Sequence, residues 1–236
     1  VAAWGPAAAM AVAAVVVASA PLLCVGLGLA AAVHAGPQES PLVAALGGLR
    51  ALRGDWPSLA LLIVMAFDFV LAGALDVLGV SFADKVLDAA EAGAGLLISS
   101  IGVGGLLGAI TGSVLARRAR LAPLVMGGGM LQGLAFASVA LVDALPLAFA
   151  LLAVSGFGGA LMMVSGRTLL QRATEDEVLA RVFAVQESTA LVGVAVGAGL
   201  SPLLLELFGA QTAWAPLGLA IASLAAAAFL LTRRLD

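Results

Sequence analysis

Asp68 is the residue in this sequence whose setting most demands explanation, because it stands between Phe67 and Phe69 in the middle of a long apolar run. An acid at that depth in hydrocarbon costs several kcal/mol unless it is neutralised or faces a wet cavity. That makes Asp68 a candidate for proton transfer or substrate coupling. Asp76 follows eight residues on, which is about 12 Å along a helix axis and on a nearby face. One cavity would then take both acids. A low-dielectric setting disfavours the charged form and suits such groups to carrying protons. For Asp76 a plain hydrogen bond to a neighbouring helix is the competing reading. Glu187 lies about two turns beyond Arg181 and reads either as a gate at one end of a cavity or as the partner of an Arg such as Arg181. Gln132, mid-run, reads as a substrate contact or as a bond across helices.

Other chemistries have little to stand on. The sequence holds one cysteine, Cys24, and one histidine, His34, so a disulfide framework and a Cys or His metal cluster are both excluded. No metal or other cofactor is expected. The span acids share one helix instead of facing across two, which fits an intramembrane enzyme poorly. A retinal-type receptor would need a lysine inside a helix, whereas Lys85 falls in a link. Gly127, Gly128 and Gly129 lack the Lys-Ser/Thr of a phosphate loop. Nucleic acid is not an expected partner.

The elements that must position these residues are membrane helices. Of 236 residues 63% are hydrophobic and 11% charged, with a mean hydropathy of +1.17. A soluble domain has too much surface for that composition. Runs of about 20 apolar residues, the length that crosses a bilayer, are predicted over 6–33, 58–80, 93–116, 121–142, 145–169, 178–208 and 212–231. The expected fold is all-α, a polytopic bundle of about seven transmembrane helices. The sixth run is read as interrupted at Ser201-Pro202 and ended by Gly209. Thr174 with Glu177 three residues on fits a capping box before it. Between the first two runs, 35–57 reads as a linker with an amphipathic interfacial helix. Ser40 and Pro41 start that helix and Trp56 anchors its end.

Charge sorts these loops. Placing 35–57, 117–120, 166–181 and the C-terminus on one face gathers Arg50, Arg53, Arg117, Arg118, Arg120, Arg167, Arg172, Arg181, Arg233 and Arg234 there. Of the 11 basic residues only Lys85 remains for the other face. Basic loops mark the cytoplasm, which puts the C-terminus inside the cell membrane. Gly104, Gly108 and Gly112 recur every four residues along one helix face, and Gly193 and Gly197 do so along another. Such spacing lets helices approach backbone to backbone, and Pro202 is expected to add a bend.

Together these features resemble the C-terminal half of a major facilitator superfamily permease. Gly112-x-x-x-Ala116-Arg117-x-x-Arg120 is similar to that superfamily's loop signature, Gly-x-x-x-Asp-Arg-x-Gly-Arg/Lys, and departs from it at Ala116 and Ala119. Gly166 to Arg172, followed by Asp176-Glu177-Val178-Leu179-Ala180-Arg181-Val182-Phe183, resembles the branch of enterobactin-exporter-type and macrolide-efflux-type permeases. Some actinobacterial members of that branch continue into a cyclic-nucleotide-binding domain. The resemblance spans roughly residues 49–236. It implies that 1–34 is the helix ending an N-terminal six-helix half and that 58–236 is the C-terminal six-helix bundle. A start at Val1 reads as a truncation of that larger protein, a fragment without its first half. The implied function is proton-coupled export of a small amphipathic compound such as a drug or siderophore. Its partners would be the lipid bilayer, the missing N-terminal half and the small-molecule substrate. The competing reading is a non-transporting membrane-embedded sensor or scaffold for a cytoplasmic domain.

Overall fold

The computed structural model of the chain describes residues 55–117 and 120–232, together with Val15. The chain divides into compact units over 1–40 and 41–236, and every helix named below belongs to the second. The predicted first span over 6–33, the interfacial helix of the linker, Arg118, Arg233 and Arg234 lie outside the described residues.

Helix α1 is Trp56–Lys85. It starts at Asp55, whose side chain accepts the Ser58 N–H at 3.4 Å, with Pro57 in the first turn. Proline has no N–H to lose there. Trp56 is exposed at this start. A short link follows in which Asp88 takes a left-handed conformation, φ 47°, one of the few non-glycine residue types that tolerate it. Helix α2 is Ala90–Leu115 and α3 is Leu121–Ser138, which tightens into a 3-10 turn over Val139–Leu141. Helix α4 is Leu145–Ala173, with Pro146 in its first turn. Helix α5 is Asp176–Thr212 and α6 is Trp214–Thr232.

Two local expectations fail at α5. Thr174 is not the N-cap: it is the extended residue that ends α4, and the Ncap is Glu175, without a side-chain cap bond. Nor does Pro202 interrupt the helix, which runs through it. The Ser201 hydroxyl donates to Gly197 O at 2.8 Å and also reaches Ala74 O on α1 at 3.5 Å. Packing and hydroxyls of this kind let apolar bundles keep a proline inside a helix. The backbone departs from the helix instead at Gly209, φ 76° and ψ 169°, a conformation in which a side chain would be strained.

The helix contacts follow glycine. Helices α2 and α4 run parallel: a Cβ on Gly104 would overlap the Ala153 carbonyl, one on Gly108 the Phe157 carbonyl, and one on Gly112 would stand 3.2 Å from Val164 Cβ. Helices α1 and α5 also run parallel, through Gly73 against Val194, Gly193 against Ala66, and Gly197 against Val70 and Ala74. Helix α3 lies antiparallel to α4 at Gly128 and Gly158, and antiparallel to α6 at Gly133 and Gly218. Between α1, α3 and α6, Trp214 is fully buried; its ring meets Phe82 edge-on at 5.4 Å and Phe136 at 4.9 Å. The indole N–H donates to Ala210 O at 3.2 Å.

Among the described residues five helices are long and apolar enough to cross a membrane: Trp56–Lys85, Gly93–Leu115, Leu121–Leu141, Leu145–Ala173 and Val178–Thr212. A shorter apolar helix, Trp214–Leu230, follows where the last predicted span falls. No strand occurs among the described residues. The outward faces of α2 and α5 are apolar, with Leu106, Leu107, Val114, Leu191, Val192 and Leu207 each more than half exposed. In water such a surface would aggregate; in lipid it is solvated. The C-terminal ends of α2 and α4 lie together at one end of the bundle, where Arg172 donates to Ala116 O at 2.9 Å. A cation there meets the negative end of α2.

Candidate functional site

Four helices, α1 to α4, line a half-open cavity of about 320 Å³. Its lining is mostly apolar, including Phe69, Leu75, Ile101, Phe136 and Met163, with Asp68, Gln132 and Ser155 as its polar side chains. That composition matches small-molecule sites in general, which are apolar with a few placed polar groups.

Helix α1 presents Asp68, half-buried, to this space. Gln132 of α3 donates its amide N–H to Asp68 Oδ1. Ser155 of α4 donates to the backbone oxygen of Gln132 at 3.2 Å. Room for the amide comes from α4. A Cβ on Gly159 would stand 2.8 Å from Gln132 Nε2 and 3.3 Å from Asp68 Oδ1, and one on Gly158 would stand 2.6 Å from Gln132 N. The glycine pair therefore lets α3 and α4 close up and aims the amide at the acid. Two acceptors remain open. Gln132 Oε1 is buried without a hydrogen-bond partner, and Asp68 Oδ2 has none among the described residues. Unsatisfied buried acceptors are uncommon in folded proteins and call for a reason.

Asp76 does not share this cavity. It is exposed on α1 and absent from the lining, because eight residues of helix turn the side chain about 80° away from Asp68. Glu187 is also outside. It pairs with Arg167 at 3.0 Å, the two side chains 65% and 42% exposed. Oriented to satisfy its neighbours, the buried Gln186 amide accepts from Arg167 Nε at 2.8 Å and from its terminal nitrogen at 3.1 Å. Arg167 is one turn along α4 from Met163, a rise of about 6 Å. The polar network thus sits between the cavity and the arginine-bearing end. Gly112 is buried against α4, while Arg117 and Arg120 are exposed, Arg120 as the Ncap of α3.

Sequence reasoning passed over Ser155, Gly159 and Phe136. The legible signal was a Ser followed by Gly158-Gly159 within one turn of an apolar run, opposite a lone Gln. No group of three or more His, Cys, Asp or Glu able to hold a metal occurs among the described residues.

Compared with known proteins, residues 57–236 match the sequence profile described as Major Facilitator Superfamily. No curated protein matches the chain.

Proposed function

The chain belongs to the Major Facilitator Superfamily, and from that premise we propose that it is a proton-coupled secondary transporter exporting a small amphipathic compound. That it is a multi-pass membrane protein of a transporter family follows from the profile match and the apolar helices. Export, proton coupling and the class of compound, with a drug or a siderophore as the leading cases, are our reading. So is membership of the enterobactin-exporter and macrolide-efflux branch, for which Gly166 to Arg172 and Asp176 to Phe183 speak.

One observation carries it: an acid in the middle of a membrane helix, held by Gln132 and open to a cavity. A carboxylate there is costly when bare, and neutral when it holds a proton or a cation. Alternating exposure of such a group to the two sides of the membrane, by rocking one helix bundle against another, couples proton entry to substrate exit. The present helices would form one wall of that path, and an N-terminal six-helix half the other. We place the arginine-bearing end, with Arg117, Arg120, Arg167 and Arg172, in the cytoplasm of a cell membrane, since basic links stay inside. The Arg167–Glu187 pair then lies on the cytoplasmic side of the cavity.

The test is export by the full-length protein in inside-out vesicles under an imposed proton gradient. Asp68→Asn is expected to abolish gradient-driven accumulation. Unchanged accumulation would remove Asp68 from the mechanism, and a wild-type protein that moves no compound in a broad screen would favour the sensor or scaffold reading.

A further inference from the structure

We infer that the cavity between α1 and α4 takes a small organic ammonium ion carrying at least one N–H, with Asp68 as counter-ion and Gln132 Oε1 as second acceptor. This rests on the reading of Asp68 as the coupling residue and adds what competes with the proton there.

The argument is one of matching acceptors. Asp68 is the titratable side chain in the lining. Arg167 and Arg172 of α4 and Glu187 and Glu206 of α5 lie outside that lining, and α6 carries no charged residue. Among the described residues no lining side chain carries a positive charge, so this wall offers an anionic compound no ion pair and sets the Asp68 carboxylate against it. A neutral apolar compound would leave both Asp68 Oδ2 and Gln132 Oε1 unpaired, and Oε1 is already buried without a donor. A ligand that brings one positive charge and N–H donors answers both. Phe69 and Phe136 in the lining suit the apolar body of such a ligand, and aromatic faces attract a cation. At about 320 Å³ the space holds about ten waters, or one compound the size of an aryl-alkyl amine. Exchange is balanced in charge: the ammonium ion enters as an ion pair with the Asp68 carboxylate, and the proton that neutralised the carboxyl group leaves.

The experiment is calorimetric titration of the full-length protein in lipid nanodiscs with three probes that share a phenethyl body: phenethylammonium, phenethyl alcohol and the bulkier phenethyltrimethylammonium. Phenethylammonium is expected to bind, and the alcohol to bind about tenfold to a hundredfold more weakly, the range of a hydrogen bond to a charged group. The trimethyl compound keeps the charge but has no N–H for Gln132, and is expected to lose about threefold to tenfold. Gln132→Leu should erase that last difference while keeping the preference for charge. Asp68→Asn should erase the preference for charge. Acidification should weaken ammonium binding, because the protonated carboxyl group no longer pairs with it. Equal binding of the alcohol, or tighter binding of phenethyl carboxylates, would overturn the inference. If the Asp68→Asn protein shows no cooperative melting, the probe series on the wild-type protein decides alone. Loss of proton-driven export in Asp68→Asn without any ammonium preference would overturn the ligand class and leave the transporter reading standing. Ammonium binding with export untouched by Asp68→Asn would do the reverse.

Discussion

At the scale of single residues, the site depends on a contact between three helices. Asp68 reaches Gln132, and Gln132 has space only because Gly159 has no side chain. Gly159→Ala would drive a methyl group into the amide, and cores resist such overpacking by about 1–3 kcal/mol. Its expected outcome is loss of ligand affinity greater than the loss of stability, seen by comparing titration with thermal melting. Asp76→Asn is expected to leave export close to wild type, since Asp76 is exposed and outside the cavity; a collapse of export would return it to the mechanism. The Arg167–Glu187 pair is exposed on both sides. Pairs of that kind contribute about 0–1 kcal/mol, so Glu187→Gln should barely move the melting temperature. Any large effect on transport rate would then belong to gating.

At the scale of elements, two glycine stripes decide which helices touch. Gly104 and Gly108 close α2 on α4, while Gly193 and Gly197 close α5 on α1. In lipid there is no hydrophobic gain from hiding one apolar helix against another, so close backbone approach is what holds a pair. Gly108→Leu should therefore part α2 from α4 and destabilise the bundle. Gly102, on the same helix, has nothing near where its Cβ would stand. Gly102→Ala is expected to be neutral or to stabilise by about 0.5–1 kcal/mol, the helix preference of Ala over Gly. Denaturant unfolding in detergent compares the two. At the α5–α6 corner Gly209 has φ 76°, and Gly209→Ala should cost about 1–3 kcal/mol in backbone strain.

At the scale of the whole molecule, the order of helices brings α2 and α4 together at their C-terminal ends, with Arg172 on Ala116 O. Arg117, Arg120, Arg167 and Arg172 consequently share one end and Lys85 stands at the other. In the orientation we propose, from the positive-inside bias, the first end faces the cytoplasm. In a protein with Cys24→Ser, a cysteine introduced at Arg117 should react with an impermeant reagent only from the cytoplasmic side of the membrane, and one at Lys85 only from outside. Labelling of position 117 in intact cells would invert the bundle.

The sequence by itself determined the solvent, the all-helical class and the rough limits of the spans from residue 56 onward, because long apolar runs and arginine placement are local properties of a chain that must satisfy its backbone inside lipid. It also singled out Asp68 and Gln132, since a polar residue in the middle of a membrane run stands out one at a time. Which of these meet was decided only by the tertiary structure. Asp68 and Asp76 share a helix but not a cavity, and Asp68 and Gln132 are 64 residues apart yet bonded. Likewise Glu187 of α5 pairs with Arg167 of α4. The glycine stripes were legible, but not what each of them faces. Contacts between helices depend on rotation about each axis and on depth in the bundle, and neither quantity is carried by spacing along one strand of sequence.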